Sequence, residues 1–121
     1  MATLYPIPEN TEAGTPFFID APDVAVTGVE QSLLSFTVPV STTRRLHQAR
    51  VTCAWDGTFT AKLNGSVIGQ GRTGPSDRNA PFFWTPSRPI SAGDEFELVF
   101  KGAQGVPIGM KVGASLMAAD F

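Results

Sequence analysis

Apolar and polar residues alternate along much of this chain with a period of two. That is the signature of strands with one face buried and one face exposed. In "SLLSFTVPV", Leu34, Phe36 and Val38 share one face, and Leu33, Ser35 and Thr37 share the other. "RLHQARVTCAW" places Ala49, Val51, Cys53 and Trp55 inward. Phe59, Ala61 and Leu63 repeat the pattern, as do Phe96, Leu98 and Phe100, and then Val112, Ala114 and Leu116. "FFWT" reads as a short aromatic strand with Phe82 and Trp84 on one face and Phe83 on the other. No segment carries an apolar period of 3.6, and no repeat of solenoid length is visible.

Turn signals separate these runs. Asp56-Gly57 and Asn64-Gly65 are two-residue hairpin signals, because glycine accepts the positive φ such turns need. A strict turn at Asn64-Gly65 opposes Lys62 to Val67 and Ala61 to Ile68, which puts Ile68 on the core face of Ala61. Beyond it, "GQGRTGPSDRNAP" loses all periodicity and predicts a loop over residues 69–81. A further turn is expected over residues 92–94. The predicted fold is all-β: an antiparallel β-sandwich of jelly-roll or related Greek-key type, with about eight short strands.

The first 28 residues read differently. Pro6, Pro8 and Pro16 favour extended backbone and remove hydrogen-bond donors. This predicts an extended N-terminal arm over residues 1–28, with edge strands at 16–20 and 24–27, ahead of a sandwich over 29–121. Charge follows the same division. Residues 1–43 hold five acids (Glu9, Glu12, Asp20, Asp23, Glu30) and no Lys or Arg. The remainder holds nine bases and six acids, so −5 and +3 sum to the net −2. An acidic arm ahead of a basic body suggests that the arm lies along a basic surface, its own or a neighbour's.

Composition narrows the picture further. Charged residues are 17% of the 121, below the usual quarter. That favours a protein which keeps part of its surface against a neighbour. The net charge gives no reason to expect nucleic-acid binding. No apolar run approaches membrane-spanning length, and "MATLYPIPENTEAG" lacks the basic and apolar regions of a signal peptide. Synthesis in a reducing cytoplasm is expected, with the single Cys53 as a buried, inert thiol.

Candidate chemistry is sparse. One histidine, His47, sits near Arg44 and Arg45, which repel a cation, so no metal site is expected there. There is no Gly-x-Ser-x-Gly elbow, and no Cys53–His47 pair is expected. Asp94, Glu95 and Glu97 are the nearest approach to paired carboxylates, but Asp94 reads as a turn residue and the two glutamates face outward. "IGQGRTG" lacks the Lys and the following helix of a phosphate loop. The expectation is a protein that is not an enzyme and uses no cofactor. Binding residues are then sought in the arm and the aromatic strand. Leu4, Tyr5 and Ile7 are candidate apolar anchors, Glu9, Glu12 and Asp20 candidate partners for basic groups, and Phe83 a candidate exposed contact.

The block from Gly28 to Phe100 resembles small β-sandwich proteins of tailed-phage virions. The resemblance lies in "SLLSFTVP", "FTAKLNGSVIGQGRT" and "FFWTPSRPISAGDEFELVF". Such proteins serve as capsid decoration (cement) proteins, as collar proteins or as fibre bases. The resemblance implies a structural part of a virion, made in the host cytoplasm and most readily a decoration protein docking through its arm. Its implied partners are other virion proteins, the major capsid protein or collar and tail proteins, and the implied oligomer is a homotrimer. No nucleic acid or membrane is implied. A collar or tail-fibre base role is the alternative. So is a carbohydrate-binding module for host recognition, built on the 69–81 loop and an exposed ring of "FFW".

Overall fold

The computed structural model describes residues 14–76 and 78–121, all in strands and loops with no helix. Eight strands follow in order: β1 (Thr15–Ala25), β2 (Gln31–Thr37), β3 (Arg44–Thr52), β4 (Gly57–Leu63), β5 (Ser66–Thr73), β6 (Asn79–Ile90), β7 (Glu95–Gly102) and β8 (Lys111–Asp120). They form two four-stranded sheets, β1-β8-β3-β6 and β2-β7-β4-β5, and every pairing is antiparallel.

The pairings are nested. β4 pairs with β5, β3 with β6, β2 with β7 and β1 with β8. The chain is thus one long hairpin, bent at Asn64-Gly65 and rolled so that successive pairs fall into alternate sheets. This is a jelly roll, one of the two β-sandwich types expected; alternation and turn spacing predict the class, and the pairings decide the topology. Asn64 and Gly65 both have positive φ, 51° and 85°. The two inner faces meet over a core in which Phe59, Phe96 and Phe100 are the largest fully buried side chains, with Leu46, Leu98 and Leu116 packed among them. The inward residues predicted for β7 and β8 are all buried.

Several sequence expectations change. Asp56-Gly57 is not a hairpin turn, because β3 and β4 lie in different sheets. Gly57 sits inside β4 with the Phe100 ring where a Cβ would stand, 2.4 Å from it. This glycine therefore makes room for a ring rather than bending a chain. Within the predicted 69–81 loop, residues 69–73 belong to β5 and residues 79–81 to β6. Gly69 and Gly71 are strand residues of β5, and their missing side chains leave space for the rings of Phe82 and Phe59. Glycine there imitates a turn signal while serving close packing.

Bulges account for the remaining differences. Leu33, expected outward, is buried beside Leu34 because the β2–β7 register slips between Ser32 and Leu34. Ala61 faces Gly69 rather than Ile68, because β5 gains a residue at that point. In β3 the slip at His47 switches the inward parity from Arg44 and Leu46 to Ala49 and Val51, and leaves His47 exposed. The two expected N-terminal edge strands are one strand, β1, interrupted between Ala21 and Val24. "FFWT" is the middle of the twelve-residue β6, whose prolines are tolerated because β6 is an edge strand.

Candidate functional site

The outward side chains of the β1-β8-β3-β6 sheet form rows that cross all four strands. In one row Phe18 of β1 faces Met117 of β8, Met117 faces Gln48 of β3, and Gln48 faces Phe83 of β6. Phe18, Met117 and Phe83 are 61%, 48% and 56% exposed, so three large apolar side chains lie in open solvent on one face. Directly opposed residues share a face and lie within side-chain reach of one another. With strands about 4.8 Å apart, the row runs about 14 Å across the sheet.

The neighbouring row is Asp20, Ser115, Arg50 and Pro81. With its amide oxygen toward Arg50, Gln48 accepts bonds from Nε at 3.0 Å and Nη2 at 2.7 Å. This bond holds the guanidinium beside the apolar row. On the other side, Arg45 faces Ala119 and Pro89, and its Nη1 is buried with no acceptor among the described residues. Buried donors are nearly always partnered, so this nitrogen is an exception among the described residues.

Of the sequence candidates, Asp20 and Phe83 fall on this same face, at opposite edges of the sheet. Trp84 turns inward, donating its indole N–H to the Ile68 carbonyl at 3.2 Å, which leaves Phe83 as the outward ring. Leu4, Tyr5, Ile7, Glu9 and Glu12 lie outside the described residues. Phe18 and Met117 escaped the sequence reading. The inward face of Val112, Ala114 and Leu116 implies an outward Met117, but "PFFID" does not reveal its parity, and only the cross-strand register aligns both side chains with Phe83.

Elsewhere, Asp94 ties the 91–94 turn to the hairpin tip at Asn64. The Asp94 carboxylate accepts from the Ser91 N–H at 2.8 Å and from Asn64 Nδ2 at 3.1 Å. These bonds, the Ser91 backbone bond foremost, favour the ionised form and lower its pKa below the usual 3.8. Glu95 is exposed and Glu97 half-buried. Among the described residues no group of three or more His, Cys, Asp and Glu is placed to hold a metal. The 69–81 loop required by a glycan-binding reading is mostly strand.

Fold and surface together define a jelly-roll sandwich with an apolar row across one sheet face. No family model and no curated protein matches the chain. Solved structures similar to it include the insecticidal delta-endotoxin Cry8Ea1 from Bacillus thuringiensis, at 14% identity and TM-score 0.48, covering 82% of this chain and 19% of that one. Two others are structures of infectious bursal disease virus. The Gx strain matches at 16% identity and TM-score 0.43, covering 92% and 34%; the Gt strain matches at 13% and 0.41, covering 95% and 37%. The chain spans between 19% and 37% of the length of these proteins.

Proposed function

We propose that this chain is a non-enzymatic structural protein of a tailed-phage particle, a capsid decoration protein that docks through its N-terminal arm. The observation that carries the reading is the Phe18–Met117–Gln48–Phe83 row. A protein that acted alone would gain nothing from three exposed large apolar side chains aligned across one sheet, whereas a part of an assembly buries them. The jelly roll suits the role because one four-stranded sheet carries the whole row while both termini of the described chain leave from one end. Thr15 pairs with Asp120 there, at the edge strand of the sheet that carries the row.

The test is the protein composition of particles banded from cells that express the chain. The full-length protein is expected in head particles at a fixed ratio to the shell protein. Deletion of residues 2–13 is expected to lower that ratio several-fold while the sandwich keeps its unfolding midpoint. Absence of the chain from particles overturns the reading, and recovery only with tail or collar fragments moves it from the head to those structures.

A further inference from the structure

At the other end of the molecule from the termini, a cleft of about 550 Å³ opens between the β7–β8 connection and the outer face of the β2-β7-β4-β5 sheet. Arg72, Thr58 and Lys101 line it side by side on β5, β4 and β7, with Thr58 paired to Arg72 on one side and to Lys101 on the other. The wall opposite is the Gly102–Val106 backbone, and the rim is Ile108, 71% exposed. Among the described residues no acid lines the cleft. Among the described residues the ion pairs are Arg44–Asp120 and Lys62–Glu30, so neither Arg72 nor Lys101 has an acidic partner there. Glu30, nearest on the Lys101 side, is held by Lys62 at 3.2 Å.

We infer that this cleft is the receptor for the acidic N-terminal segment of a second copy of the chain, with Glu9 and Glu12 paired to Arg72 and Lys101. The inference rests on the reading of residues 2–13 as a docking arm. Spacing supports the pairing. Two cations on either side of β4 stand about 10 Å apart at two strand spacings. An arm bound in a three-residue-per-turn extended conformation would bring residues three apart, Glu9 with Glu12 and Leu4 with Ile7, to a common side about 9 Å apart, matching the two cations and the apolar rim at Ile108.

Reach decides whose arm it is. The cleft lies by Gly28 and Gly57, past the Ala25 end of β1, whereas Gly14 leads into the Thr15 end. The ten steps from Thr15 to Ala25 cover about 33 Å. Glu9 lies five residues before Gly14 and extends at most about 18 Å from it. A chain therefore cannot fill its own cleft with these two carboxylates, and a neighbour's arm can. Repeated head-to-tail, the contact closes a ring or extends as a filament.

Light scattering on the full chain tests this, with the arm pairing read through its salt dependence. The wild type is expected to show a mass at least about twice the protomer's at about 0.1 M salt and to fall toward the protomer at about 1 M, where the screening length drops from about 10 to about 3 Å. R72E/K101E is expected to be a monomer at both, and E9K/E12K likewise. The charge-swapped combination of all four is expected to regain the mass. Unfolding midpoints check that each variant is folded, and R72Q/K101Q replaces any that is not. A monomeric wild type, an R72E/K101E variant with wild-type mass, or a folded four-site variant that stays monomeric overturns the inference. Particles that still carry the chain in any of those cases leave the docking-arm reading standing and remove only the cleft as its receptor.

Discussion

Arg44 shows how a single side chain can depend on every layer around it. It is 3% exposed and donates from Nε and Nη2 to the two carboxylate oxygens of Asp120, at 2.5 and 2.8 Å. Its guanidinium also lies 3.5 Å from the Phe17 ring centroid and 4.8 Å from that of Phe36. The planar fork satisfies the carboxylate while its faces pack against rings, an arrangement a lysine cannot reproduce. Asp120→Ala is expected to destabilise the protein by about 3 kcal/mol, because it strands a buried cation. Arg44→Met combined with Asp120→Ala is expected to cost less than Asp120→Ala alone; urea unfolding midpoints of the two variants decide this. Asp94 gives a pH signature at the same scale. Its pKa is lowered in the folded state, so its contribution is present above 3.8 and is lost as pH falls through the lower folded value. Wild-type stability is expected to drop more steeply below pH 3.8 than that of Asp94→Asn, measured by denaturant unfolding across the acid range.

Strands in this molecule are shaped as much by glycine and bulge as by alternation. A Cβ on Gly71 would stand 2.2 Å from Cζ of Phe59, a ring 1% exposed at the centre of the core. Gly71→Ala is therefore expected to cost about 2 kcal/mol by overpacking. Gly69→Ala meets only the half-buried Phe82 ring, at 2.7 Å and near an edge that can give, and is expected to cost less. Thermal unfolding of the two variants compares them. The hairpin at Asn64-Gly65 is fixed from outside as well as by its own turn. Asn64 Oδ1 accepts from the Glu95 N–H at 2.9 Å, and the Asn64 N–H donates to the Glu95 carbonyl at 2.8 Å. The tip of the nested hairpin is thereby tied to the start of β7. The Asn-Gly signal was legible because its physics is local: both residues must adopt positive φ. The Asp-Gly signal misled because Gly57 answers to Phe100, more than forty positions away in the chain.

Across the whole molecule, the division between a sealed core and an apolar outer row sets what the protein can do. Phe18 and Phe83 contribute little to folding because water reaches both in the isolated chain. Phe18→Ser with Phe83→Ser is expected to shift stability by less than about 0.5 kcal/mol per site. The same pair is expected to lower the number of copies retained on particles at low and high salt alike, since apolar contacts are not screened. Quantifying the chain on washed particles measures this. The sequence by itself determined the class of fold, the inward faces of β7 and β8, the Asn64-Gly65 turn and the split between Phe83 and Trp84. Period-two alternation and turn chemistry act within a few residues and need no partner. Only the tertiary structure decided the parity switches at Leu33 and His47, the strand identity of residues 69–73, and the alignment of Phe18 and Met117 with Phe83. The strand identity of 69–73 depends on its pairing with β4, and the others depend on the register between strands far apart in the chain, where one extra residue exchanges the faces of everything that follows.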